Sequence, residues 1–243
     1  MKKLLIATSL SAALFASFNA TAGSDVTLKV IGSIVPGACV PTLPNGGTID
    51  YGTIRNEVIA PTGVTNKLVQ LGQKSITLTV TCDNEIAVGI TSTDNRSDSN
   101  VGLNGTTSFI DGAWTDGTDA ANTSNGFGLG KAGSINIGAY AITIDVATVT
   151  ADSTAVDVLR TEDVNASTVT WETYDGAFCS LTSGCSDAAR ALTVATKGSL
   201  VPKAFKVLTA PLLITAAVQD NSVLGTDDTI TLDGNATISL VYL

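Results

Sequence analysis

The chain has 243 residues, 13 Lys and Arg against 22 Asp and Glu, and a formal net charge of -9. That balance is a poor match for nucleic acid or an anionic lipid surface. Histidine is absent, which removes Ser-His-Asp and Cys-His catalysis.

Met1-Lys2-Lys3 is a basic start, and Leu4 to Phe18 is an apolar stretch interrupted only by small polar residues. Ala20-Thr21-Ala22 then matches the small-x-small pattern of a secretory cleavage site, so residues 1–22 are read as a signal peptide removed after Ala22. No later run reaches the ~20 apolar residues of a membrane-spanning helix. The expected product is an exported, soluble, single-domain chain from Gly23 to Leu243.

Export agrees with the four cysteines, Cys39, Cys82, Cys179 and Cys185, for which three pairings exist. Cys179 and Cys185 flank a short Ser-Leu-Thr-Ser-Gly loop and suit a local staple, which leaves Cys39 for Cys82. Zinc is a poor alternative, because there is no histidine and no close cysteine pair at zinc-knuckle spacing. Neither a metal nor a cofactor is expected.

The mature chain opens with Val26, Leu28 and Val30 on one face of an alternating segment, broken at Gly32. After Cys39 come the turn-rich PTLPNGG and a short predicted strand, TIDYGTI. Lys74 to Cys82 is the clearest strand, with Ile76, Leu78, Val80 and Cys82 facing one way and Ser75, Thr77, Thr79 and Thr81 the other. The pattern restarts at Ile86, Val88 and Ile90, so Asp83-Asn84 reads as a hairpin turn.

From Thr91 to about Lys131 the chain is dominated by Asn, Asp, Ser, Thr and Gly, a long insertion expected to offer a functional surface. Strands resume at Ser134 to Val146, with a bulge at Gly138 where the apolar phase switches. Further strands are expected at Thr168 to Tyr174, Ala191 to Ala195 and Leu212 to Gln219. The chain ends in DTITLDGNATISLVYL, a half-buried strand pattern interrupted at Asp233-Gly234-Asn235. Many short strands, long loops and no helix beyond two turns mean an all-β sandwich or barrel.

The signal peptide, the alternating Val26 to Val30, Gly32 followed by Cys39, the second cysteine Cys82, and a terminal strand with Tyr242 penultimate together resemble subunits of chaperone–usher fimbriae. The similarity is greater still to fimbrial-like periplasmic proteins of an uncharacterised domain group, with VTLKVIGSIVPGAC, SITLTVTC and ITLDGNATISLVYL as the shared stretches. The resemblance implies an immunoglobulin-like sandwich lacking its last strand, with long loop insertions here. It implies a periplasmic chaperone, an outer-membrane usher and neighbouring subunits as partners. Val26, Leu28 and Val30 would then be donated side chains, and Ile238, Leu240 and Tyr242 would border the receiving groove. Such addition of a strand at an open edge takes its affinity from main-chain bonds and its specificity from side-chain pockets.

Two other classes compete. A glycosidase-type carboxylate pair is not singled out by any spacing, and the Asp- and Asn-rich stretches near 94–98 and 116–119 read as turns rather than a calcium loop. A self-contained secreted sandwich that binds glycans is the second, with Trp114 and Trp171 as candidate stacking residues among polar loops.

Overall fold

A computed structural model describes residues 28–32, 37–61, 65–180, 190–225 and 228–243. The chain divides into two units, Met1–Pro36 and Gly37–Leu243. The expected signal peptide, Val26 and Cys185 lie outside the described residues. In the first unit, 28–32 has no regular structure, and Leu28 and Val30 are 85% and 91% exposed. The second unit is all-β, with a nearly closed antiparallel sheet.

The longest strands supply its frame. Strand β2 (Leu68–Ile86) and strand β12 (Phe205–Gln219) pair antiparallel along most of their length. Strand β1 (Cys39–Thr42) lies on the free side of β2. On the other side of β12 lie β7 (Gly138–Ile144) and the short β8 (Thr150–Ala151), and β4 (Phe127–Gly128) extends β7. Strand β8 turns into β9 (Thr154–Thr161), which pairs with β11 (Ala191–Thr196) and the two-residue β10 (Glu172–Thr173). The path ends with β3 (Val88–Asp94) and β13 (Ala236–Tyr242). Residues 131–132 (β5) and 135–136 (β6) form a separate small ribbon.

Alternation decides which faces meet. Leu78 and Val80 of β2, Leu208, Ala210 and Leu212 of β12, Val156 and Val158 of β9, Leu192 and Val194 of β11, and Val88 and Ile90 of β3 all belong to one buried cluster. The two halves of the sheet therefore face each other across a single core, as a period-two pattern requires.

A second cluster lies on the opposite face of β7 and β12. There Ala139, Ala141 and Ala217 pack against Leu103, Ile110, Ala113, Trp114 and Ala120 of the insertion. The insertion is thus a packed layer held on the sheet by small side chains that allow close approach. Its isolated bridges, Ile110 to Ala120 and Asn104 to Asn122, tie it to itself.

Several expectations need correction. Ile86 and Val88 do not form a hairpin: β2 runs through Asp83-Asn84, and at Ala87 the chain crosses to the other half of the sheet, where β3 pairs with β11 and β13. Neither turn residue is glycine, so nothing favours a tight reversal there. TIDYGTI is not a strand. Gly52 has φ 71 and its N–H is taken by the Asp50 side chain at 2.6 Å, a local turn that displaces the ladder. The expected 168–174 strand shrinks to β10.

Gly138 marks a break between β6 and β7 rather than a bulge within one strand. A Cβ there would lie 2.2 Å from the Ala217 carbonyl oxygen and 2.8 Å from Val218 Cα. Gly138→Ala must push β7 off β12, so a loss of about 3 kcal/mol is expected in urea unfolding. An unchanged midpoint would contradict the close approach.

Candidate functional site

The path of strands starts at β1 and stops at β13, and those two free edges face one another. Main-chain geometry says what each presents. Asn95 N–H donates to the Asn235 carbonyl and Leu243 N–H to that of Ala87, which sets Asn235, Thr237, Ser239 and Val241 as the residues bonded to β3. By antiparallel alternation, the N–H and C=O groups of Ala236, Ile238, Leu240 and Tyr242 point off the sheet. Among the described residues no strand pairs with that side.

The side chains of the same residues turn toward the core. Ala236, Ile238 and Leu240 are half-buried and pack against the main cluster, while Thr237 and Ser239 are exposed. An apolar row next to an unpaired main-chain edge is a ready template for another strand. Strand β13 combines the two.

Strand β1 forms the facing wall. Cys39 lies directly opposite Cys82 and the two are disulfide-bonded. Ala38 and Asp83 are hydrogen-bonded, so in the alternation Cys39 and Pro41 face away from β2. Pro41 has no N–H to offer, a common feature of exposed edges. The Cys39 N–H instead donates to the Tyr242 hydroxyl at 3.0 Å and closes one end of the gap.

At the other end the gap is open. Pro41, Thr42, Leu43, Gly46 and Gly47 line a depression of about 320 Å³ together with Ala236 and Ile238, and Leu78 of the core forms part of its wall. The turn at Pro44–Gly47 has φ 52 at Asn45, 64 at Gly46 and 78 at Gly47, a left-handed run that glycine tolerates and that turns the chain away after β1. The site is therefore a wedge, tied at Tyr242 and open beside Ile238.

Of the residues singled out in the sequence, Ile238 and Leu240 lie on this wedge. Tyr242 is 54% exposed and acts through its hydroxyl. Cys39 and Cys82 hold the facing wall. Cys179 is disulfide-bonded, and its expected partner Cys185 lies outside the described residues. Trp114 was a candidate sugar-stacking residue, and that reading is corrected: it is 8% exposed in the second core, with no ring face to offer. Trp171 is half-buried. The β1 wall was missed, since CVPT alternates too briefly to declare a strand. Its one signal was a proline two residues after a bonded cysteine.

Tyr242→Phe removes the hydroxyl acceptor and leaves the ring. Expected is a loss of about 1 kcal/mol, with faster hydrogen exchange at the Cys39 amide. Unaltered exchange at that amide would mean the bond does not hold the edges together.

The arrangement defines a class: an all-β chain whose first and last described strands are unpaired neighbours. The chain belongs to the family of the Escherichia coli proteins GltF and YhcF. It is 46% identical to Protein GltF over 246 residues, covering 98% of this chain and 96% of that one. It is 30% identical to Uncharacterized protein YhcF over 254 residues, covering 99% and 98%. A family model described as a protein of unknown function (DUF1120) matches residues 28–141. No solved structure matches the chain.

Proposed function

We propose that the chain is a structural or adhesive subunit of a chaperone–usher surface fimbria, exported to the periplasm and completed there by a strand from another polypeptide. The observation that carries this reading is the wedge between β1 and β13: unpaired main-chain groups of Ala236, Ile238 and Leu240 beside an apolar row and a depression reaching Leu78. An extended segment laid between the edges meets hydrogen-bonding groups along β13, and its alternate side chains fall toward the core. A chaperone strand would occupy the gap first, and the segment of a neighbouring subunit carrying Val26, Leu28 and Val30 would replace it. The Cys39–Cys82 disulfide favours an oxidising compartment.

Periplasmic expression with and without the chaperone and usher of the same assembly tests this. Chaperone co-expression is expected to convert aggregated or degraded chain into a soluble one-to-one complex. A chain that accumulates as the same monomer in both cases, with no complex formed, contradicts the proposal.

A further inference from the structure

The insertion layer creates a second concave feature, built from residues outside the wedge. Between the layer and the ends of β2 and β12 lies a cleft of about 470 Å³. Its described lining contains no carboxylate, although the chain carries a net charge of -9, and Lys67 is the one charged residue among the described lining. The Lys67 ammonium has no ion-pair partner among the described residues.

The polar groups around it have fixed directions. Asn136 Nδ2 donates to the Asn100 carbonyl at 3.0 Å, and Gln219 Nε2 donates to the Asn136 carbonyl at 2.6 Å. With the amide nitrogens engaged, the side-chain oxygens of Asn136 and Gln219 remain as acceptors with no described donor. The hydroxyls of Ser108 and Ser134 also lack partners among the described residues. Half-buried Val101 supplies an apolar patch.

We infer that this cleft binds a hydroxylated small molecule carrying one carboxylate, of the size of a sugar acid. The two amide oxygens are acceptors for ligand hydroxyls, and the two serine hydroxyls serve its remaining oxygens. The exposed Lys67 ammonium, free of any described carboxylate, offers an anionic ligand group a charge-assisted bond, the stronger kind. No aromatic residue is among its described lining, so recognition rests on hydrogen bonds rather than ring stacking. It shares no residue with the depression between β1 and β13, so the inference stands apart from strand acceptance.

The test is a titration of the purified mature protein, followed by amide NMR shifts, with D-glucuronate, D-galacturonate, D-glucose, D-galactose and acetate. Saturable shifts at residues 101–102, 107–108 and 134–136 are expected with at least one sugar acid, with neutral sugars and acetate about tenfold weaker or more. Lys67→Gln should bring the sugar acid down to the level of the neutral sugar while the spectrum elsewhere is unchanged. Gln219→Leu should weaken acid and neutral sugar alike. No saturable shift, equal shifts with acetate, or acid binding that survives Lys67→Gln would overturn the assignment. Shifts confined to 236–242 would also overturn it, since they would report the wedge instead.

Discussion

Leu240→Asp is expected to prevent accumulation of folded protein even when a chaperone is supplied. Leu240 lies opposite Ile90 of β3, a fully buried core residue, and its own side chain packs on the main cluster while its main chain faces the gap. A carboxylate there is partly hydrated while the gap is open and is desolvated once a strand closes over it. The penalty therefore falls mainly on the complemented state, by several kcal/mol, of order 10²-fold or more in affinity. Yield, protease resistance and recovery of a chaperone complex read this out. Thr237→Asp, on the exposed side of the same strand, is the control and should accumulate like wild type with its chaperone. Equal rescue of both variants would mean that the inner face of β13 is not covered by the partner.

The second large effect is expected from removing the disulfide. Strand β1 has four residues and, among the described residues, one partner, β2, so Cys39–Cys82 carries much of its attachment. Cysteines separated by 43 positions close a loop for which chain entropy gives about 4 kcal/mol. The Cys39→Ser, Cys82→Ser double variant should lose stability on that scale in urea. It should also lose affinity for a complementing strand, since one wall of the wedge is released. Lower stability with undiminished strand affinity would show that β1 is not part of the receiving site.

The sequence showed those parts of the fold where one face is buried and the other wet. Ile76, Leu78, Val80 and Cys82 alternate with serine and threonines, and β2 follows that pattern. Strand β7, GAYAITI, is buried on both sides because the insertion covers its outer face, so its alternation carries little information. The insertion layer was illegible for a related reason: the sheet residues it docks on are Ala139, Ala141 and Ala217, which give no pattern.

Strand β12 was recognised only from Leu212 onward because Pro211 interrupts it. The Pro211 carbonyl accepts from Asp145 N–H, so its nitrogen faces the same side, between β8 and β7, where no ladder donor is needed. The site was half legible. Ile238 and Leu240 stood out in a terminal alternating run, whereas the facing wall depends on a turn at 44–47 and a four-residue strand that only the three-dimensional arrangement brings opposite them.

Segment 229–234 is held outside the ladder by its own anchors. Asp233 N–H donates to the Leu129 carbonyl, and Arg96 pairs with the Asp233 carboxylate at 2.8 Å. Both ionic side chains are well exposed, so the pair contributes little stability and serves mainly to fix where β13 begins. Asp94, at the end of β3 opposite Ala236, accepts from the Arg96 and Gly128 amides at 2.8 Å each, and burial raises its pKa. These contacts hold the entrance of the wedge in register.

The central claim is that the gap between β1 and β13 receives a strand, and a peptide titration tests it most directly. A synthetic peptide spanning Asp25 to Gly32 supplies Val26, Leu28 and Val30 and is added to purified protein during thermal unfolding. At about 100-fold excess over its dissociation constant a stabilisation of ~2.7 kcal/mol is expected, roughly 5–10 °C in Tm. A peptide with Leu28→Asp should give no shift, and amide shifts from the active peptide should centre on Ala236 to Tyr242. A stable monomer whose Tm and amide shifts ignore the peptide would contradict the account, because its sheet would need no further strand.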